Sequence, residues 1–208
     1  MPVALTIFAV LFILLANEFW YRIRKPNDEL SRKFVHITVG SFVAFWPFFL
    51  SWNTIVFLSA AFLAVVLVSK YLNLFQAVHS VQRPTWGEVF FAVAVGLIAL
   101  MTHDRWIYTA SLLVMSLADG LAAVVGSKFG GKYRYSIFGH PKTLVGTLTF
   151  FIISVGILNA INPHLITQVS MLWILGISAL AAVAENAGIA GADNLIVPVL
   201  IAVLLSHA

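Results

Sequence analysis

The chain has 208 residues, of which 61% are hydrophobic and only 10% are charged. Because a soluble domain is usually about 25% charged, this composition excludes an ordinary soluble fold and indicates one all-α, polytopic integral-membrane domain over residues 1–208. The absence of cysteine excludes disulfides and thiolate metal sites, and the net charge of +4 does not indicate a nucleic-acid partner, because basic loops of membrane proteins report orientation.

Apolar runs long enough to cross a bilayer as helices recur along the whole chain. We predict eight spans, a transmembrane helical bundle, at residues 3–21, 35–51, 53–70, 87–102, 106–126, 143–160, 165–186 and 194–207. The first run is interpreted as a retained anchor, because its cations follow the apolar segment and no small-residue cleavage site is evident. After the third span, residues 70–82 have the amphipathic pattern typical of a helix on the membrane surface.

Positive charges are distributed asymmetrically around these spans. With the N-terminus outside, eleven of the twelve Lys and Arg residues lie in or next to the loops 22–34, 71–86, 127–142 and 187–193. Only Arg105 falls on the other side. The positive-inside rule therefore predicts a multi-pass protein with these loops in the cytoplasm. The acids near the same face are Glu88, Asp119, Glu185 and Asp193.

The second and fourth spans each begin with candidate polar groups. Arg32, Lys33 and His36 fall within about one helical turn, which suits phosphate binding. Alternatively, the two cations anchor the topology and His36 is structural. At the fourth span, Trp86 suits the interface belt, and Glu88 is either a buried functional acid or a charge stabilised by the helix dipole.

Asp119 lies inside the fifth span, about 14 Å below the surface at 1.5 Å per residue. An ionised carboxylate at that depth costs roughly 3 kcal/mol or more unless it is paired or hydrated. Ala123, Gly126 and Gly130 share its helix face. This face is either a slot that admits a ligand or metal to the carboxylate, or a surface for tight helix packing with Asp119 bonded to a neighbouring helix.

The next loop, residues 127–142, combines cations with glycines, and Lys142-Thr143 then opens the sixth span. Its candidate phosphate ligands are Lys128, Gly130, Lys132, Gly139, Lys142, Thr143 and Gly146. Glycines permit close approach of backbone N–H groups, and a helix N-terminus favours an anion. The glycine spacing is not that of a P-loop. Alternatively, the loop only sets topology or contacts anionic lipid.

Between the last two spans, Glu185 and Asp193 stand beside the amides Asn186 and Asn194. Carboxylate and carbonyl oxygens suit Mg²⁺. Alternatively, Asp193 or Asn194 caps the last helix and Glu185 reaches the interface. The six histidines do not have metal-ligand spacing, so a zinc site is not expected.

Taken together, four blocks resemble the CTP-dependent polyprenol kinase family, which includes dolichol kinase, phytol kinase and the CTP-using diacylglycerol kinase. In family order they are Arg32-Lys33-x-x-His36-x-x-x-Gly40; Trp86-Gly87-Glu88; Asp119-x-x-Ala122-x-x-x-Gly126-x-x-x-Gly130 with Lys142-Thr143-x-x-Gly146-Thr147; and Glu185 with Asp193-Asn194-x-x-x-Pro198. The third block is the most specific, and Trp-Gly-Glu resembles phytol kinases most. The family commonly has Lys-Ser in place of Lys142-Thr143, which keeps the hydroxyl.

The resemblance implies transfer of the γ-phosphoryl group of CTP to the terminal hydroxyl of a membrane-embedded isoprenoid alcohol, such as phytol, geranylgeraniol or a polyprenol. It also assigns roles to residues. Lys128, Lys132 and Lys142 would hold the triphosphate. Asp119, with Glu185 or Asp193, would bind Mg²⁺ or another divalent cation. Glu88 or Asp119 would take the hydroxyl proton, and Asn194 and the backbone near Gly188 and Gly191 would contact the cytosine or ribose.

Three alternatives stay open: a CTP-dependent diacylglycerol kinase, a cytidylyltransferase acting on a lipid phosphate, and a transporter of small molecules or ions. A transporter is expected to have broken helices in two repeated halves and polar groups near the midplane. Here the polar groups cluster at one side and no internal repeat is evident. A homo-oligomer is compatible with the sequence, which does not determine the oligomeric state.

Overall fold

The computed structural model describes residues 2–24, 28–71 and 86–208. Within these ranges the chain forms eight helices and one small antiparallel hairpin. The helices are α1 Pro2–Arg24, α2 Asp28–Ala44, α3 Trp52–Tyr71, α4 Gly87–Met101, α5 Arg105–Phe129, α6 Leu144–Ile161, α7 Met171–Ala187 and α8 Asp193–Ser206. The strands are β1 Arg134–Ile137 and β2 His140–Thr143. The prediction of an all-α fold is confirmed.

Four of the helices, α1, α3, α5 and α6, are long and apolar enough to cross a membrane. Three more, α4, α7 and α8, are apolar but shorter. The second predicted span, 35–51, is displaced, because α2 begins earlier and ends at Ala44. Pro47 lies in the following 3₁₀ turn and cannot continue an α-helix, since it lacks the N–H group. The surface helix predicted at 70–82 lies largely outside the described residues.

Helix α5 forms the centre of the bundle. It packs against α2, α6 and α8, and its side chains Tyr108, Leu112 and Met115 are fully buried. By contrast, α1 packs mainly on α2, and α3 packs mainly on α4. Both outer helices expose many large apolar side chains, as expected of helices that contact lipid.

Inside α5, residues Val114–Ala118 form a π-helical turn directly before Asp119. The sequence predicts a continuous apolar helix here and gives no sign of the wider turn. A π-turn displaces backbone carbonyls from the regular i→i−4 pattern, and such turns are frequent at functional sites. One of these carbonyls, that of Met115, accepts a hydrogen bond from a neighbouring helix, as described below.

The segment predicted as a glycine-rich loop contains the hairpin between α5 and α6. Its strands pair Tyr135 with Lys142 and Ile137 with His140. The two turn residues, Phe138 and Gly139, both have positive φ, 49° and 79°, as a type I′ turn requires. Gly139 is therefore a turn residue at the exposed tip of the hairpin.

Candidate active site at one end of the helix bundle

A cavity of about 500 Å³ lies where the first turns of α2, α4, α6 and α8 meet the last turns of α5 and α7 and the hairpin. Its polar lining contains four cations: Arg32, Lys33, Arg134 and Lys142. It also contains four acids: Glu88, Asp119, Glu185 and Asp193. The predicted site residues His36, Thr143, Gly146 and Asn194 line the same cavity. The structure thus brings all four sequence blocks to one place.

On one side of the cavity, α2 and α5 are joined by a buried ion pair. Lys33 Nζ lies 2.5 Å from Asp119 Oδ2, and the two side chains are 11% and 9% exposed. His36 follows one turn after Lys33, so both side chains face α5. His36 Nε2 lies 3.1 Å from the Met115 carbonyl oxygen and 3.5 Å from Asp119 Oδ2. Since a carbonyl oxygen only accepts, Nε2 carries the proton.

On the other side, the hairpin is joined to α7 by a second ion pair. Lys142 Nζ lies 2.5 Å from Glu185 Oε1 and 3.2 Å from the Glu185 carbonyl oxygen. Burial acts to lower the pKa of Lys142, but the attraction and hydrogen bond of Glu185 outweigh it, so the pKa is raised above its ordinary value. The amine therefore remains charged at neutral pH, as a phosphate-binding group must be.

A hydrogen-bond cluster holds the hairpin in this position. The Tyr135 hydroxyl donates to Asn186 Oδ1 at 2.6 Å and lies against the Thr147 hydroxyl, which is 3.2 Å from the same oxygen. Asn186 Nδ2 in turn donates to the Ala182 carbonyl at 2.7 Å. Tyr135 is the cross-strand partner of Lys142, and Asn186 follows Glu185, so this cluster positions the second ion pair. Sequence reasoning assigned no role to Tyr135.

The start of α4 is tied to the connection between α7 and α8. The Trp86 N–H group donates to the Ala190 carbonyl at 2.9 Å, and Asn194 Nδ2 donates to the Gly87 carbonyl at 3.0 Å. The amide nitrogen of Asn194 thus links the second and fourth blocks. The neighbouring Asp193 carboxylate, half-buried in the cavity wall, makes no ion pair within 4 Å in the part of the chain that the structure describes.

The N-terminus of α6 is capped by the protein itself. Thr143 Oγ1 accepts from the Gly146 N–H group at 3.0 Å, and the Leu144 N–H group donates to the Tyr133 carbonyl at 2.9 Å. A Cβ atom added at Gly126 would lie 2.7 Å from Thr143 Oγ1, so this glycine allows α5 to approach α6 closely. Gly126 therefore has the helix-packing role that was the alternative to a ligand slot. Because the first N–H groups of α6 are already bonded within the protein, a phosphate would be bound more by side-chain cations than by this helix end.

Four predicted phosphate ligands do not line the cavity. Lys128 and Lys132 are exposed, and Lys128 Nζ lies 5.2 Å from the centroid of the Phe129 ring. Gly130 packs against Thr143, and Gly139 is at the hairpin tip. Their role in holding the triphosphate stays a prediction. Arg134 lines the cavity but is not among the phosphate ligands that the sequence predicts.

The polar cavity continues into an apolar part bounded by α1, α2, α3 and α4. Its walls include Leu14, Val39, Phe62, Val65 and Phe91. A cavity that is charged at one end and apolar at the other matches an amphiphile with a polar head and a hydrocarbon tail.

The predicted metal ligands Asp119, Glu185 and Asp193 share the cavity, but two of them are paired with lysines. Among the described residues, no three His, Asp or Glu side chains form a group that could hold a metal by themselves. The donor set therefore fits a cation that binds one or two carboxylates and takes its other ligands from a phosphate-bearing substrate.

Comparison with known proteins identifies the family. No family model matches the chain, and no solved structure matches it. A phytol kinase of Synechocystis sp. is 31% identical over 203 residues, which cover 89% of this chain and 82% of that protein. A probable chloroplastic phytol kinase of Triticum aestivum is 32% identical over 143 residues, which cover 62% of this chain and 47% of that protein. The chain therefore belongs to the polyprenol kinase family that its motifs resemble, and within that family it is similar to phytol kinases.

Proposed function

We propose that the chain is a membrane lipid-alcohol kinase that transfers the γ-phosphoryl group of CTP to the terminal hydroxyl of an isoprenoid alcohol such as phytol, geranylgeraniol or a polyprenol. The observation that carries the proposal is that paired lysines and carboxylates adjoin an apolar wall within one cavity. The names of the two relatives support the reaction and the acceptor class.

Phosphoryl transfer needs mostly positioning and neutralisation of charge, and the cavity offers both. The cations Lys33, Arg134 and Lys142 line this one cavity, where they would bind the triphosphate. A ligand phosphate would compete with the carboxylates that accept hydrogen bonds from the two lysines. Asn194 and Gly191 line the same wall and are available to the ribose or base. The choice of CTP over ATP rests on the family resemblance.

Asp119, with Glu185 or Asp193, would hold Mg²⁺ carried in by the nucleotide, since all three carboxylates line the cavity. Such an ion would neutralise charge that develops on the transferring phosphoryl group. For the transfer itself, the hydroxyl oxygen of the alcohol bonds to the γ-phosphorus as the bond from that phosphorus to CDP breaks. The hydroxyl proton passes to Asp119 or to Glu88, both of which line the cavity.

The proposed orientation puts the N-terminus outside and the cavity at the cytoplasmic face. It is supported by the cations near the cavity end of the bundle, which the positive-inside rule places in the cytoplasm. That orientation lets cytoplasmic nucleotide meet an alcohol that stays in the bilayer.

The test is a donor and acceptor panel with purified protein in lipid vesicles. Labelled CTP, UTP and ATP are each offered with phytol, geranylgeraniol, a longer polyprenol and diacylglycerol. We expect a phosphorylated isoprenoid alcohol, formed fastest with CTP. A clear preference for ATP would overturn the donor, and a preference for diacylglycerol would overturn the acceptor. A CMP-lipid product would indicate a cytidylyltransferase, and solute flux without phosphorylation would indicate a transporter.

A further inference from the structure

Helix α3 contributes one stripe of side chains to the apolar part of the cavity. Phe62, Val65, Val66 and Ser69 follow the i, i+3, i+4, i+7 spacing of a single helix face. Val66 and Ser69 are buried, but Val65 is 55% exposed although it lines the cavity. A side chain with both properties lies at the rim of an opening, so the cavity opens sideways along α3.

Helix α1 provides the opposite rim through Leu14. Helix α1 packs extensively on α2, and α3 packs extensively on α4. Within residues 2–24 and 52–71, α1 and α3 do not pack extensively on each other. Both helices are long and apolar enough to cross a membrane. The opening between them therefore faces the hydrocarbon region of the bilayer and not water.

A series of ring contacts leads from this opening to the charged groups. The Phe62 ring meets the Phe91 ring edge to face at 6.3 Å, and the Phe91 ring meets the His36 ring at 6.2 Å. His36 Nε2 lies 3.5 Å from Asp119 Oδ2. An alcohol that entered over Phe62 and Phe91 would therefore arrive with its hydroxyl at Asp119.

The size of the cavity also requires an opening. Its volume of about 500 Å³ is in the range that holds one small ligand. A nucleoside triphosphate and a long isoprenoid chain exceed that volume together, so most of the tail must remain outside the protein. Lipid is the solvent that accepts such a tail.

We propose that the gap between Leu14 on α1 and Val65 on α3 is the lateral entrance for the acceptor, with the isoprenoid tail lying across it and the hydroxyl inside at Asp119. This inference rests on the proposed function and names the path by which its lipid substrate binds. It assigns the hairpin side of the cavity to the nucleotide and the α1–α3 side to the alcohol.

The first test uses the absence of cysteine, which makes any introduced thiol unique. Val65→Cys and Leu67→Cys are each labelled with the same bulky polar maleimide. Leu67 is 45% exposed, lies two residues further along α3 on roughly the opposite face, and does not line the cavity. We expect the label at Val65→Cys to lower kcat/KM for phytol about tenfold or more, with unchanged nucleotide binding, and the label at Leu67→Cys to change it less than about twofold.

The second test links the two rims. Leu14→Cys and Val65→Cys are combined and joined by a flexible, thiol-cleavable bifunctional reagent. We expect the linked protein to bind nucleotide normally, to lose phosphorylation of phytol, and to regain it when the link is cleaved. Full turnover of the linked protein, loss of nucleotide binding, or failure of the two thiols to be linked would each overturn the entrance.

These outcomes separate the entrance from the function on which it rests. If the unmodified protein phosphorylates no isoprenoid alcohol with any nucleotide, the proposed function is wrong. If it does so, and the labels at Val65→Cys and Leu67→Cys have equal effects, the proposed function stands and the entrance alone is wrong.

Discussion

The two ion pairs of the cavity have the same chemistry but different supports. Each joins a lysine to a carboxylate at 2.5 Å. Lys33 and Asp119 lie on two packed helices, α2 and α5, whereas Lys142 lies on a hairpin and meets Glu185 on α7. The Lys142 side chain is 22% exposed, twice the value for Lys33. The first pair is therefore part of the helical framework, and the second belongs to an element docked onto it.

Ion pairs of the same chemistry can therefore have different effects on stability when one partner is removed. Removing one partner of a buried pair leaves an uncompensated charge and costs about 3–5 kcal/mol. Where water can reach the charge that has lost its partner, the charge is hydrated and the loss of folding free energy is smaller. We therefore expect both pairs to affect stability and activity, with the smaller loss of stability at the second pair, whose lysine is more exposed.

The largest effect is expected for Asp119→Ala. This change leaves Lys33 buried without its carboxylate, so both the thermal unfolding temperature in detergent and phytol phosphorylation should fall sharply. The double variant Lys33→Met/Asp119→Leu separates the two effects, because apolar replacement of a buried pair is often neutral for stability. It should recover the unfolding temperature and stay inactive. An active double variant would show that this pair has no part in the reaction.

The next largest effect is expected for Lys142→Ala. Loss of a cation that stabilises the transferring phosphoryl group should lower kcat/KM by about 10²–10³-fold, as for other transition-state donors. The unfolding temperature should fall less than for Asp119→Ala, because removal of the 22% exposed Lys142 side chain lets water reach the Glu185 carboxylate. Near-normal turnover of purified Lys142→Ala would remove this lysine from the site.

A smaller effect is expected for Tyr135→Phe. The variant lacks the hydroxyl that holds the hairpin to Asn186. One net hydrogen bond is worth about 0.5–1.5 kcal/mol, which corresponds to about a 2–12-fold change in an equilibrium constant. We expect this change in the KM for nucleotide, with kcat nearly unchanged. Tyr133→Phe is the matched control, because the Tyr133 side chain is exposed beside the same hairpin. Equal effects of the two variants would argue against a positioning role for Tyr135.

The smallest effect is expected for Lys132→Ala. The sequence-based assignment puts this lysine on the triphosphate, whereas the structure places its side chain at the surface, outside the cavity. Because a side chain outside the cavity does not contact the reacting groups, we expect kcat/KM to change less than about twofold. A loss comparable to that of Lys142→Ala would favour the sequence-based assignment and would require the loop to close over the nucleotide.

The sequence predicts most of the fold because apolar runs of this length have one stable arrangement in lipid. It also places Asp119, Glu185 and Lys142 at one face, because the positive charges indicate which loops share a side. The sequence does not show which lysine pairs with which carboxylate. Lys33 and Asp119 are 86 positions apart and meet only because α2 packs on α5.

Local features were also missed, each for a physical reason. Phe138-Gly139 is not the Asn-Gly or Asp-Gly signal that marks a two-residue hairpin, so the sequence predicts a loop where the structure has β1 and β2. The π-turn at Val114–Ala118 leaves the apolar character of α5 unchanged and so has no signature in hydropathy. The end of α2 at Ala44 could have been predicted from Pro47.

In the proposed function, nucleotide and lipid alcohol meet in the cavity between the two ion pairs. The most direct measurement is an experimental structure of the protein in lipid with a non-hydrolysable CTP analogue, Mg²⁺ and phytol. We expect phosphate oxygens within hydrogen-bonding distance of Lys142 and Lys33, with the phytol hydroxyl beside Asp119. A nucleotide bound on the outer face at Lys128 and Lys132, with the cavity holding no phosphate, would contradict it.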